Sequence, residues 1–510
     1  MQATKTDFKV AAVFSSNMVL QREKAITIWG KGENGRIVTA EIAGNTAKAV
    51  VTDGKWEISL APMNAGGPYE LILSDSEDTI TFSNVMLGEV WLAGGQSNME
   101  FELQNCSGGK EILENAKDVN VRFYYTQKIA YFDDDFDAKE TDSGWEVFGD
   151  EGTKYWSAVG FFAASKISQQ LGVTVGVIGC NWGGTSATAW MSREFIEMDR
   201  NTKIYMDEYD EALGTRSMEE LKAEWDEYQA YSKAWNEKVA KIYTENPNTG
   251  WTEALEIAGE NRYPGPKNPY NEFRPAGLYE TMLRRVCPYT LRGFWFYQGE
   301  SDDHRPNSYY KLFSNMISQW RKDWGDEELP MIFVQLPMFK YQDDIDHKHW
   351  AKIREGQTRV YKTVRNAYMA VIVEHGTVND IHPTEKQPVG ERIALLALGA
   401  VYGTDAACFA PELDYYYVRE SGIVLAIKHT YGGIEVRGES AVGFELAGAD
   451  KQFYPADKVE IVGNEVFISS ERVEYPHYAR YNFTNHGPVT VYNRAGLPMG
   501  GFRTSMEDEG

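Results

Sequence analysis

The 510-residue chain has little that would staple it covalently or seat it in a membrane. Its 4 cysteines, Cys106, Cys180, Cys287 and Cys408, lie far apart and fit no CxxC or zinc-ligand spacing. Buried free thiols are therefore expected, and neither a disulfide framework nor a cysteine-held metal. No apolar run reaches the roughly 20 residues of a membrane span, and the start MQATKTDFKV has no apolar signal core. The chain reads as cytoplasmic, or as a mature form whose leader has been removed. Positive charge is also scarce, with Lys+Arg 51 against Asp+Glu 75 and a net charge of -24. Such a surface repels phosphate backbones and anionic membranes, so neither nucleic acid nor membrane is expected as a partner. A small anion would need a local arginine to hold it.

What the chain does have is length and patterned punctuation. A chain of 510 residues exceeds one ordinary core, so two or three domains are expected. Residues up to about Ser83 read as short strands (IVTAEIAG, AVVTDGKWEISL, YELILS), with Asp53-Gly54 as a hairpin turn and Ala65–Pro68 as a loop. From Gly88 the pattern changes to strands alternating with helices. The strand candidates are Glu89–Ala93, Val175–Gly179, Gly293–Gln298, Met331–Leu336 and Tyr368–Val373. Such alternation argues a parallel sheet covered by helices on both faces. Within Ser217–Tyr243 apolar residues recur at steps of three and four, and Ser217 and Glu220 have capping-box spacing. This marks a long amphipathic helix inside an insertion. From about Ala406 the pattern returns to strands. The organisation expected is a β-sandwich-like module over 1–86, an α/β domain over 87–405 with a helical insertion at about 196–270, and a β-rich part over 406–510.

Four windows close the α/β strands with reactive or donor groups. After the apolar run VMLGEVWLA, Gly94-Gly95-Gln96-Ser97 offers a serine where a strand meets a helix. VGVIGCNWGGT ends at Gly183-Gly184, where a backbone N–H can approach a substrate. GFWFYQGESDD delivers Gln298, whose amide can donate to a developing oxyanion. The fourth, Asn379-Asp380-Ile381-His382-Pro383, pairs a histidine with a carboxylate. A serine nucleophile needs both, one to take its proton and one to fix the imidazole tautomer. Each window alone is a commonplace turn. Together, at the carboxyl ends of separate strands, they point to a serine hydrolase.

At these residues the chain resembles the SGNH/GDSL hydrolase superfamily, and within it the sialate O-acetylesterase family. The four blocks stand here as GQSNM, WGGT, WFYQGESD and NDIHP, and VFSSNMVLQREKAITIWGKG, KQPVGERIALLALGAVYG and VYNRAGLPMGGFRT extend the likeness over nearly the whole chain. The resemblance implies a three-layer α/β/α sandwich with a parallel, flavodoxin-like sheet, flanked by β-rich, sandwich-like modules. It implies a secreted or periplasmic bacterial enzyme that removes O-acetyl groups from sialic acids or related sugars, without metal or cofactor. Carried over by position, Ser97 is the nucleophile, His382 the general base and Asp380 the orienting acid. The oxyanion hole is Ser97 N–H, a glycine N–H of Gly183-Gly184 and the Gln298 amide. Gln96, Asn98, Trp182 and Glu300 are the flanking candidates for substrate contact. The superfamily usually spaces acid and histidine by three, whereas Asp380 and His382 are two apart, so Glu374, Glu300 or a serine–histidine dyad stay open. Acetylated xylan or another plant glycan is the alternative substrate, and a non-catalytic carbohydrate-binding protein is the rival from another class. Nothing in the sequence bears on oligomeric state.

Overall fold

The computed structural model describes residues 8–246, 249, 251–340 and 345–505. Residues 1–7 and 506–510, the outer ends of the expected first and last modules, and part of the expected insertion (247, 248 and 250) lie outside the described residues. The elements that position the site begin with β1 (Gly66–Ser74) and β2 (Thr79–Gly95), which pair antiparallel. The expected loop at Ala65–Pro68 belongs instead to the irregular start of β1, where the register shifts between Gly66 and Tyr69. At the other expected turn, Asp53 and Gly54 have φ of 52° and 73°. Two positive φ values are the signature of a type I′ hairpin turn. Thr52 and Lys55 exchange N–H···O bonds across it at 2.9 and 3.0 Å.

β2 is one continuous strand of 17 residues, so the junction expected at 86–87 falls inside it. Its first half belongs to the amino-terminal sheet. Its second half is buried throughout and lies in the middle of the central sheet. There follow α1 (Ser97–Glu100), β3 (Val121–Tyr125), β4 (Trp145–Val147), α2 (Ala158–Leu171) and β5 (Val175–Asn181). Then come α3 (Met218–Glu245), β6 (Gly293–Tyr297), α4 (Tyr309–Asp323), β7 (Met331–Val334), α5 (His349–Thr363), β8 (Ala367–Ala370) and α6 (Gln387–Leu396). The central sheet runs β4-β3-β5-β2-β6-β7-β8, parallel except for the antiparallel edge strand β4. Each strand expected in this region is present. Counted along the chain, β2, β5, β6, β7 and β8 lie in the spatial order 2-1-3-4-5. The order reverses at β2, and that reversal opens a crevice at its carboxyl end.

Strand alternation sorts the packing. Phe294 and Phe296 of β6 meet Trp320 of α4, with centroids 5.3 and 5.7 Å apart. Trp295, between them, stacks on Trp91 at 5.2 Å, and Trp91 in turn meets Tyr402 beyond α6. Successive side chains point to opposite faces, so α4 and the segment after α6 cover opposite sides of the sheet. The long insertion helix is present as α3, with both halves of the expected capping box at Ser217 and Glu220. Its buried face (Leu221, Trp225, Tyr228, Trp235) braces the segment that follows it, with Asn268 Nδ2 donating to Leu221 O at 2.8 Å. Three small antiparallel sheets build the chain beyond Ala406. They are tied to α5 by a two-pronged ion pair between Arg503 and Glu355 at 2.7 and 2.9 Å. All four cysteines are free and buried. Among the described residues no helix is long and apolar enough to cross a membrane.

Candidate active site

The crevice at the end of β2 begins with a turn that only glycine can make. Gly95 has φ of 130°, and a Cβ there would stand 2.1 Å from Tyr297 O. The chain therefore passes tightly against β6, where Gln96 N–H donates to Tyr297 O at 3.0 Å. It then enters α1 with Ser97 at the first position. An N–H at that position has no partner within the helix. Across the crevice, the loop after β8 brings His382 Nε2 to 2.7 Å from Ser97 Oγ. That is hydrogen-bonding distance for proton transfer between hydroxyl and imidazole. Burial and the nearby Lys386 ammonium lower the His382 pKa below its ordinary 6.5, against the opposing charges of Asp380 and Glu100. The imidazole is therefore neutral and basic at neutral pH.

Asp380 meets the histidine through the backbone. Its Oδ1 accepts the His382 main-chain N–H at 2.8 Å, and its charge favours the protonated ring. Glu374, the alternative acid, lies elsewhere, held in a two-pronged pair with Arg392. Glu300, the other alternative, is buried and bonded to Asn98 rather than to the histidine.

Several residues expected at the substrate surface are buried supports instead. Asn98 Nδ2 donates to Glu300 Oε1 at 2.6 Å and to Ile381 O at 3.0 Å, and its Oδ1 accepts from Lys386 Nζ at 2.5 Å. One side chain thus clamps the histidine loop to the serine turn. Gln96 Oε1 accepts from Ser301 N–H at 3.2 Å and ties the same turn to the end of β6. Gln96, Asn98 and Glu300 are 3%, 1% and 6% exposed, so a sugar reaches none of them. The physical reason is local: three strand ends converge here, and their polar groups must satisfy one another. Trp182 stays partly exposed at the rim, with the Lys128 ammonium 5.6 Å from its ring centroid.

Gln298 departs from expectation for the same reason. Its Nε2 donates to Asp302 Oδ2 at 2.7 Å and to Thr185 O at 3.2 Å, which uses both amide hydrogens. Asp302 is fully buried and also accepts from Ser186 Oγ, the Ala187 N–H and Tyr205 Oη, at 2.6 to 3.1 Å. A buried carboxylate costs too much to leave unmatched. Gln298 therefore holds the 182–187 turn in place and donates nothing to the crevice. In that turn, Gly183 lies against the nucleophile: a Cβ there would be 3.3 Å from Ser97 Cβ. Its N–H donates to Glu100 Oε2 at 2.6 Å, and the other Glu100 oxygen pairs with Lys128.

Sequence reasoning missed Lys386, Asp302 and Glu100. Lys386 follows His382 by four residues, but nothing in its neighbours marks it as buried. Burial pulls its pKa down to about 8, against the opposing charges of Glu300 and Asp380. Asp302 was visible only as one more acid in GESDD.

Comparison with known proteins points to carbohydrate esterases. Residues 268–394, which include Gln298, Asp380 and His382, match the family model described as carbohydrate esterase, sialic acid-specific acetylesterase. The chain is 27% identical over 443 residues to a sialate O-acetylesterase of Mus musculus, covering 80% of this chain and 76% of that one. It is 26% identical over 440 residues to one of Homo sapiens, with 80% and 73% covered. A solved carbohydrate acetylesterase from Xanthomonas citri superposes with a TM-score of 0.75 at 27% identity, covering 98% of this chain and 99% of that one. Over most of its length this chain is similar to sialate O-acetylesterases. The crevice at Ser97 is where hydroxyl and imidazole meet.

Proposed function

We propose that this chain is a carbohydrate O-acetylesterase that deacetylates sialic acids through Ser97. The observation that carries the reading is the 2.7 Å approach of His382 Nε2 to Ser97 Oγ at the switch point of a parallel sheet. Ser97 Oγ attacks the acetyl carbonyl while His382 takes its proton. The developing oxyanion is received by the Ser97 N–H and a glycine N–H of the Gly183-Gly184 pair. For Gly183, the Glu100 carboxylate yields its place and turns toward Lys128. His382 then protonates the departing sugar oxygen. Water activated by the same imidazole releases acetate from Ser97. Asp380 holds His382 by its backbone and stabilises the imidazolium.

In this reading the parallel sheet with helices on both sides is the three-layer sandwich of the SGNH hydrolases. The family likeness supports a secreted or periplasmic setting. Acetate release from O-acetylated N-acetylneuraminic acid, measured beside acetylated xylan, tests the substrate. The sialate ester is expected to turn over with a kcat/KM at least tenfold higher. Preference for xylan would replace the sugar and leave the chemistry standing.

A further inference from the structure

A cavity of about 480 Å³ lies beside the glycine turn that borders the crevice. That volume suits a monosaccharide. Gly184 lines it, and Gly183, the residue before, touches Ser97. Gly184 has φ of 75°, and a Cβ on it would stand 2.1 Å from Tyr263 Oη and 2.8 Å from the Phe273 ring, so both rings of the cavity wall pack directly against the glycine turn that touches the serine. The far wall is the segment that α3 braces: Tyr228 packs beneath Gly265, whose Cβ would lie 2.6 Å from that ring. Aromatic rings (Tyr205, Tyr209, Tyr263, Phe273) and the hydroxyls of Ser186 and Thr188 give the cavity the mixed surface a sugar needs.

Its charge runs against that of the whole molecule. The lining holds three cations, Lys267, Arg274 and Arg305, against one carboxylate, Glu208, in a chain of net charge -24. Glu208 is already engaged by both Arg305 and Lys267. Arg274 has no such answer. Among the described residues it forms no ion pair; its Nη2 donates to Ala130 O at 3.1 Å, and its Nε is buried without a hydrogen-bond partner. Gly277 makes room for it, since a Cβ there would come within 2.8 to 3.0 Å of the Arg274 side chain. A half-buried guanidinium with a free donor, and only the longer-range charge of exposed Glu280 against it, carries a desolvation cost that a bound carboxylate would offset with a charge-assisted, planar contact.

We infer that Arg274 is the specificity residue of this cavity and anchors the carboxylate of an acidic monosaccharide whose O-acetyl group reaches Ser97. The inference rests on the proposed esterase chemistry and names which sugars that chemistry receives. It is tested with mono-O-acetylated N-acetylneuraminic acid and its methyl ester, which keeps the ring and removes the charge. The wild type is expected to favour the free acid by at least tenfold in kcat/KM, chiefly through KM. In Arg274→Gln that preference collapses towards one. Gly277→Ala, which keeps the charge but displaces the guanidinium, is expected to lose most of it, whereas Arg274→Lys retains part. A wild type indifferent to the methyl ester, or a preference that survives Arg274→Gln, would overturn the assignment. Hydrolysis of an aryl acetate by the wild type separates the two failures. If the aryl acetate is cleaved and the acid is not preferred, only the role of Arg274 falls; if nothing is cleaved, the esterase reading falls with it.

Discussion

At the scale of single residues, His382 decides the pH range of the reaction. It accepts a proton only when neutral. Its pKa lies below 6.5 because it is buried and close to the Lys386 ammonium. Activity is therefore full above 6.5 and is lost as pH falls through the lowered value. A kcat/KM profile on an aryl acetate should show an acid limb with its midpoint below 6.5; a midpoint above it would mean that another charge governs the ring. The orienting acid can be separated from its neighbours by substitution. Asp380 bonds to the His382 backbone, while Glu374 is spent on Arg392. Asp380→Asn should lower kcat by roughly a hundredfold or more, whereas Glu374→Gln should change it by only a few-fold. The reverse order would reassign the role. Serine, histidine and the nearby carboxylate were legible in the sequence because they sit in two short turns, one opened by Gly94-Gly95 and one closed by Pro383. Lys386, Asp302 and Glu100 were not, nor was the inward role of Asn98, because the sequence does not show which polar groups are folded inward to satisfy one another.

At the scale of elements, the serine is placed by the ending of β2 and not by α1, which spans only Ser97–Glu100. The turn depends on Gly95, whose positive φ and close approach to the β6 backbone leave no room for a side chain. Gly95→Ala should destabilise the protein by roughly 3 kcal/mol or more, since both strain and overpacking act there, as read from denaturant unfolding. A change under about 1 kcal/mol would show that the β2–β6 contact relaxes freely. The strands around this turn were legible as apolar runs closed by glycine, and α3 as a capped three-and-four periodicity. What the sequence did not show is that one continuous strand, β2, serves two sheets.

At the scale of the whole molecule, one acidic chain carries a crevice with a neutral base, a neighbouring cavity with an unanswered arginine, and a carboxyl-terminal β part pinned to α5. The net charge of -24 keeps polyanions away in general and leaves recognition of a small acid to a local group. Composition made the general repulsion legible; only the folded chain, with Gly184 and Arg274 lining one cavity, places the local exception. The claim on which the rest depends is that one serine among all those in the chain is the nucleophile. Treatment of the intact protein with an organophosphate, followed by peptide mapping of the full sequence, tests it most directly. The account predicts a single phosphoryl adduct on Ser97 that rises in step with loss of aryl acetate hydrolysis and is absent from Ser97→Ala, itself inactive and folded. Inactivation with the adduct on another residue, or undiminished turnover by Ser97→Ala, would contradict it.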